Sequence, residues 1–148
     1  MEISNRKLFS RGVIAIGVAV AVSGVPGEVF AADQPETAAA VAAARTEHGA
    51  AFVATPDYTT AALLGFAMGD RDVTSLSPKT DQFDFWFDAA AHAGDTAILF
   101  ADDWRPLTPA VTSLFTQVTL LAERPVDRFG RPLDVHRIYL ASGFRPDE

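Results

Sequence analysis

The apolar positions of this chain fall into short, separated blocks whose spacing shifts from helical to extended along the sequence. The first block, residues 12–25, is apolar almost throughout and follows Arg6, Lys7 and Arg11. Pro35 and Glu36 then open an alanine-rich stretch that ends at Gly49. Proline suits the first helical position, the acid suits the positive end of the dipole, and glycine offers a left-handed stop, so a first helix is expected there. Residues 50–54 are apolar but too few for a helix, and Thr55-Pro56 enforces extended geometry. A strand therefore feeds a second helix over residues 56–68, with Leu63, Leu64 and Ala67 at helical spacing before Gly69.

Residues 73–76 predict another strand, and Ser77-Pro78 breaks the chain. In the aromatic segment that follows, Phe83, Phe85 and Phe87 alternate, while Phe83, Phe87 and Ala90 also fit one helical face; a short helix after an extended entry is expected. Residues 96–100 form the clearest strand, between Gly94-Asp95 and Asp102-Asp103. Thr108-Pro109 starts a short helix to about residue 115, and two β-rich runs, 118–126 and 135–141, are joined by DRFGRPLD with its turn-forming Gly130 and Pro132. This order predicts a single α/β domain, three-layer-like, with a mixed sheet: parallel in its first half, with a C-terminal antiparallel hairpin.

Composition narrows the function classes. At 148 residues, 49% apolar and 21% charged, the chain suits one globular domain and not a disordered segment. The absence of cysteine excludes disulfides, thiolate metal sites and thiol nucleophiles. A formal charge of −7 with no basic block after the N-terminus argues against nucleic acid as a partner.

The first apolar run fixes the expected compartment. Residues 12–25 would make a helix of about 21 Å at ~1.5 Å per residue, short of a hydrocarbon core of roughly 30 Å. Val29 and Ala31 fit cleavage after Ala31, which divides the chain into a signal peptide or membrane anchor, 1–31, and an extracytoplasmic domain, 32–148. If uncleaved, residues 12–25 would anchor the domain to the membrane. In both cases the basic residues stay on the inner side and the remainder, with nine basic and seventeen acidic residues, lies outside the cytoplasm, periplasmic or secreted.

Candidate chemistry is sparse. Ligands of open α/β sheets sit beyond the carboxyl ends of strands, where Asp57, Asp102 and Asp103 are delivered; if they converged they would suit a hard cation, and otherwise they are turn and cap residues. His48 falls at a helix end, and His92 and His136 lack partners at metal-ligand spacing, so each is read as structural. No GxSxG elbow, SxxK pair, GxGxxG or Walker loop occurs; no catalytic residue, metal site or cofactor is assigned. Trp86, Trp104 and Tyr58 are of the type that stacks on sugars, but packing in the core is the expected role of Phe83, Phe87 and Trp86.

Taken in order, the strand and tyrosine-bearing helix over residues 52–66, the element Asp81-Gln82-Phe83-Asp84-Phe85-Trp86, the Gly-Asp and apolar strand over 94–100, and the ending VHRIYLASGFRP form a pattern. It resembles the soluble extracytoplasmic C-terminal domain of polytopic lipid-phosphate-sugar glycosyltransferases, the dolichyl-phosphate-mannose protein mannosyltransferase and aminoarabinose transferase type. The likeness covers about residues 36–146. It implies an accessory or acceptor-binding domain outside the membrane, with a membrane glycosyltransferase or a polyprenyl-phosphate sugar as partner. The family's catalytic acid lies in a membrane portion that has no counterpart here, so the resemblance implies a domain that is not catalytic alone, or a truncated transferase; a free small-ligand binding module is the alternative. Asp81 stands where the family has asparagine. Asp57, Tyr58, Gln82, Asp84, Trp86, Asp102 and Asp103 are the candidate ligand-binding residues.

Overall fold

The computed structural model describes residues 34–146; the expected signal peptide or anchor, residues 1–31, lies outside the described residues. Helix α1 (Gln34–His48) carries Glu36 in its first turn and Arg45 and His48 in its last, the polarity that favours a helix dipole. Arg45 fastens its end: the guanidinium donates to Ala50 O (3.2 Å) and Ala51 O (2.7 Å) and pairs with Asp70 and Asp72, so one side chain ties α1 to two neighbouring loops. Strand β1 (Phe52–Thr55) follows, then α2 (Tyr58–Met68) and β2 (Val73–Ser75). Two single 3₁₀ turns, Gln82–Phe85 and Ala90–His92, lead to β3 (Ala97–Ala101), a one-turn helix α3 (Pro109–Thr112) and the paired strands β4 (Phe115–Arg128) and β5 (Arg131–Phe144). No helix among the described residues is long and apolar enough to cross a membrane.

The five strands form one sheet in the order β2-β1-β3-β5-β4, with β1 parallel to β2 and β3, and β5 antiparallel to β3 and β4. This is the mixed α/β sheet that the order of elements predicts. Its alternate residues serve two cores. Val53, Val73, Ile98 and Phe100 pack on one face under Ala38 and Val41 of α1 and Ala61 and Leu64 of α2. Phe52, Ala54, Ala97 and Leu99 pack on the other, with Val111, Phe115, Phe144 and Phe87.

Three elements differ from the sequence-based expectation. The aromatic segment forms 3₁₀ turns because side chains close each turn locally: Asp81 Oδ1 accepts from Phe83 N (2.8 Å), Asp84 Oδ2 accepts from Asp81 N (2.7 Å), and Asp88 Oδ1 accepts from Ala91 N (3.1 Å). Helix α3 stops after one turn because the chain enters β4 already at Phe115. The hairpin is longer than its apolar core, and its connection is two residues rather than eight: Phe129 and Gly130 both have positive φ, 52° and 71°. Pro125 is tolerated inside β4 because that strand is the edge of the sheet.

Candidate functional site

The candidate residues fall at two separate places. The first is the carboxyl end of the parallel strands, between β1 and β3, where the chain leaves β1 toward one edge of the sheet and β3 toward the other. Such a divergence opens a crevice. Asp57 caps α2 here, its Oδ1 accepting from Thr59 N (3.0 Å) and Thr60 N (3.1 Å), and its main-chain oxygen accepting from Thr55 Oγ1 (2.6 Å). Asp102 lies almost buried at the end of β3, its Oδ1 accepting from Arg105 N (2.6 Å).

The convergence of three carboxylates that a hard cation would need does not occur, and Asp57 is a cap residue. Asp57 and Asp102 share a cation supplied by the chain: Arg105 Nε stands 3.2 Å from Asp57 Oδ1, and Nη1 stands 3.7 Å from Asp102 Oδ2. Asp103 turns away to Arg137, at 2.6 Å, while its N–H donates to Asp134 Oδ1. No group of three or more potential metal ligands is assembled among the described residues. Arg105 was not singled out from the sequence, although its position three residues after Asp102 is the signal that could have found it.

Asp102 is also the group whose acidity the fold alters. Burial pushes its carboxyl above the ordinary aspartate range, and the nearby Asp134 carboxylate acts in the same direction; the hydrogen bond from Arg105 N–H and the charges of Arg105 and His136 oppose them. His136 has partners that its sequence spacing did not reveal: Nδ1 lies 2.9 Å from Thr37 Oγ1, Nε2 lies 3.9 Å from Asp134, and the ring meets Phe100 edge-on. His92 packs its ring flat on Phe87 and pairs with Asp95, so it serves to hold the aromatic segment against the sheet.

The second place is a groove of about 800 Å³ between α2 and the first 3₁₀ turn, beside the edge strand β2. Here the structure corrects the expectation for Trp86. The capping pair Asp81 and Asp84 closes a turn that sends Phe83 and Phe87 toward the protein, half-buried, and leaves Phe85 and Trp86 81% and 69% exposed. Phe66, 90% exposed on α2, faces the same groove from the other side. Asp70 and Arg71 form its polar rim. Phe66, Phe85 and Arg71 were not among the expected residues; the absence of any charge in the α2 sequence YTTAALLGFAM was the available sign.

Asp84 lines a smaller hollow of about 210 Å³ on the far side of Phe83 and Phe87, with the buried and unpaired hydroxyl of Thr74. Gln82 is exposed at the start of the first 3₁₀ turn, and Tyr58 is exposed at the start of α2. The groove and the smaller hollow both set polar groups beside open space. The arrangement at the crevice is an internally neutralised ion cluster, whereas the groove presents aromatic faces to solvent. No protein-family model, curated protein or solved structure matches this chain.

Proposed function

We propose that the chain is an exported accessory domain of the membrane-glycosyltransferase type, binding the saccharide of an acceptor or of a polyprenyl-phosphate sugar rather than completing the transfer by itself. The exposure of Trp86 within the α2 groove carries this reading. An indole face in a groove walled by Phe66 and Phe85 complements the apolar face of a pyranose, and the charged rim of Asp70 and Arg71 supplies hydrogen-bonding partners for hydroxyl groups. The ordered likeness to the soluble domain of those transferases supports the same reading.

The test uses the full chain with Trp104 replaced by phenylalanine, leaving Trp86 as the sole indole. Titration with soluble glycans and with short-chain polyprenyl-phosphate sugars is expected to give a saturable change in Trp86 emission. Trp86→Ala should abolish ligand-induced thermal stabilisation while leaving the unliganded melting temperature in place. A flat response to both ligand groups overturns the reading. The alternative, a free small-ligand module with its site at the strand ends, is favoured by the position of Arg105 between Asp57 and Asp102 at the switch point. Saturable binding lost in Arg105→Met but retained in Trp86→Ala would select it.

A further inference from the structure

We infer that the outer face of α2 and the tip of the first 3₁₀ turn form one lipid-facing surface, which dips into the interfacial zone of an uncharged bilayer and holds the groove at headgroup level. This rests on the proposed reading of the groove as the ligand surface and names the surroundings in which it works.

Four large apolar side chains carry the inference: Leu63, Phe66, Phe85 and Trp86, all exposed. Leu63 and Phe66 are three residues apart on one helix and so share a side, and Phe66 lines the groove that Phe85 and Trp86 reach from the facing turn. Helix α2 contains no charged residue, so its solvent side lacks the polar stripe that a surface helix of a globular protein carries. Aromatic rings of this type, with a tryptophan among them, are the side chains that settle at the boundary between hydrocarbon and water. Insertion of such a face to headgroup depth buries apolar area, and at that depth Asp84 of the turn and Asp70 and Arg71 of the rim would still meet water and polar headgroups.

The occupant follows from charge and from the chain itself. The domain that follows residue 31 has a formal −8, which disfavours attraction to anionic lipid and leaves burial of apolar surface as the driving force. The sequence also carries the apolar run 12–25 only eight residues before α1, a connection that reaches about 28 Å at most at ~3.5 Å per residue. That reach exceeds the roughly 20 Å from the start of α1 to the groove, made up of about 17 Å along α1 to Arg45, which pairs with Asp70 just past α2, and about 10 Å between packed helices. A bilayer engaged by that run lies within reach of the α2 face.

The experiment places the full chain, with Trp104→Phe, on phosphatidylcholine vesicles. Trp86 emission should shift to shorter wavelength and be quenched several-fold more by lipids bearing a nitroxide near the headgroup than by lipids bearing it at the chain terminus. The double variant Phe66→Asp, Phe85→Asp should keep its melting temperature, because both rings are exposed, and lose the shift even if residues 12–25 still bring the chain to the vesicles. Trp86 remaining as accessible to aqueous quencher on vesicle-bound protein as in solution overturns the inference. A shift seen only with anionic lipid and removed by salt overturns it too. Glycan binding in lipid-free solution reports separately on the proposed function, so failure of one reading is distinguishable from failure of the other.

Discussion

Arg105 Nε lies 3.2 Å from Asp57 Oδ1, which couples the loop leaving β3 to the cap of the helix leaving β1. The same guanidinium approaches Asp102, whose side chain is only 5% exposed. Removing it leaves a nearly buried carboxylate without its compensating charge. Arg105→Met should therefore destabilise the domain by about 1 to 3 kcal/mol, less than a fully buried pair because the guanidinium is about a third exposed. Chemical denaturation measures it; a loss below about 0.5 kcal/mol would show that the pair is screened like an ordinary surface contact.

The raised pKa of Asp102, a consequence of its burial, gives a pH dependence of definite sign. The folded chain binds this proton more tightly than the unfolded chain, so the group contributes stability at acid pH and that contribution is lost as the pH rises through its folded value. Asp102→Asn keeps an oxygen to accept from Arg105 N–H and removes the charge. The difference in unfolding free energy, variant minus parent, should therefore grow in favour of the variant as the pH is raised from about 4 toward 7. A constant difference across that range would refute the assignment.

The motif Asp81-Gln82-Phe83-Asp84 acquires a structural role in the fold: it is a capping box around a single 3₁₀ turn. Asparagine serves equally well at the cap, so Asp81→Asn should change stability by no more than a few tenths of a kcal/mol, whereas Asp81→Ala should cost about 0.5 to 2 kcal/mol. Because this turn sets the direction of Trp86, the alanine variant should also lower the affinity for any groove ligand. Calorimetric melting and Trp86 emission read the two effects separately.

The groove and the crevice differed in how far the sequence disclosed them. Strand β1 and strand β3 were legible because each is a short continuous apolar run with a sharp end, Thr55-Pro56 in one and Asp102-Asp103 in the other. The ends of α1 were legible from Pro35 and Gly49. Trp86 was not, because Phe83, Phe85, Trp86 and Phe87 satisfy helical and extended periods together, and its exposure is decided by the carboxylate contacts of Asp81 and Asp84. Phe66 was hidden for a related reason: spacing tells which residues share a helix face, but in a helix without charges nothing marks which face is outside. The surroundings of Asp102 depend on β5 returning beside β3, which brings Asp134 and His136 from more than thirty residues away.

Trp86→Ala separates the groove from the core most directly. A buried tryptophan would cost about 3 to 5 kcal/mol on truncation, while an indole exposed to 69% should cost under about 1 kcal/mol. Urea denaturation of the variant against the parent measures it, and a loss above about 2 kcal/mol would return Trp86 to the core.

Two glycines with nearly the same backbone conformation should respond differently to alanine. Gly69 closes α2 at φ 63° with nothing near the added methyl, and Gly143 in β5 has φ 67° but faces Thr116 on the neighbouring strand. The conformational strain is common to both and amounts to about 1 kcal/mol. At Gly143 the methyl would also lie 2.5 Å from Thr116 Oγ1 and 3.0 Å from its Cβ, so the side chain or the strand must shift. Gly143→Ala should consequently cost roughly 2 to 4 kcal/mol against about 1 for Gly69→Ala. Adding Thr116→Ala removes the hydroxyl clash but leaves the closer packing at Cβ, so it should restore part of the loss and not all of it. Full restoration in the double variant would mean that the hydroxyl alone made the difference, and equal losses at the two glycines would mean that the β4–β5 pairing yields freely at this point.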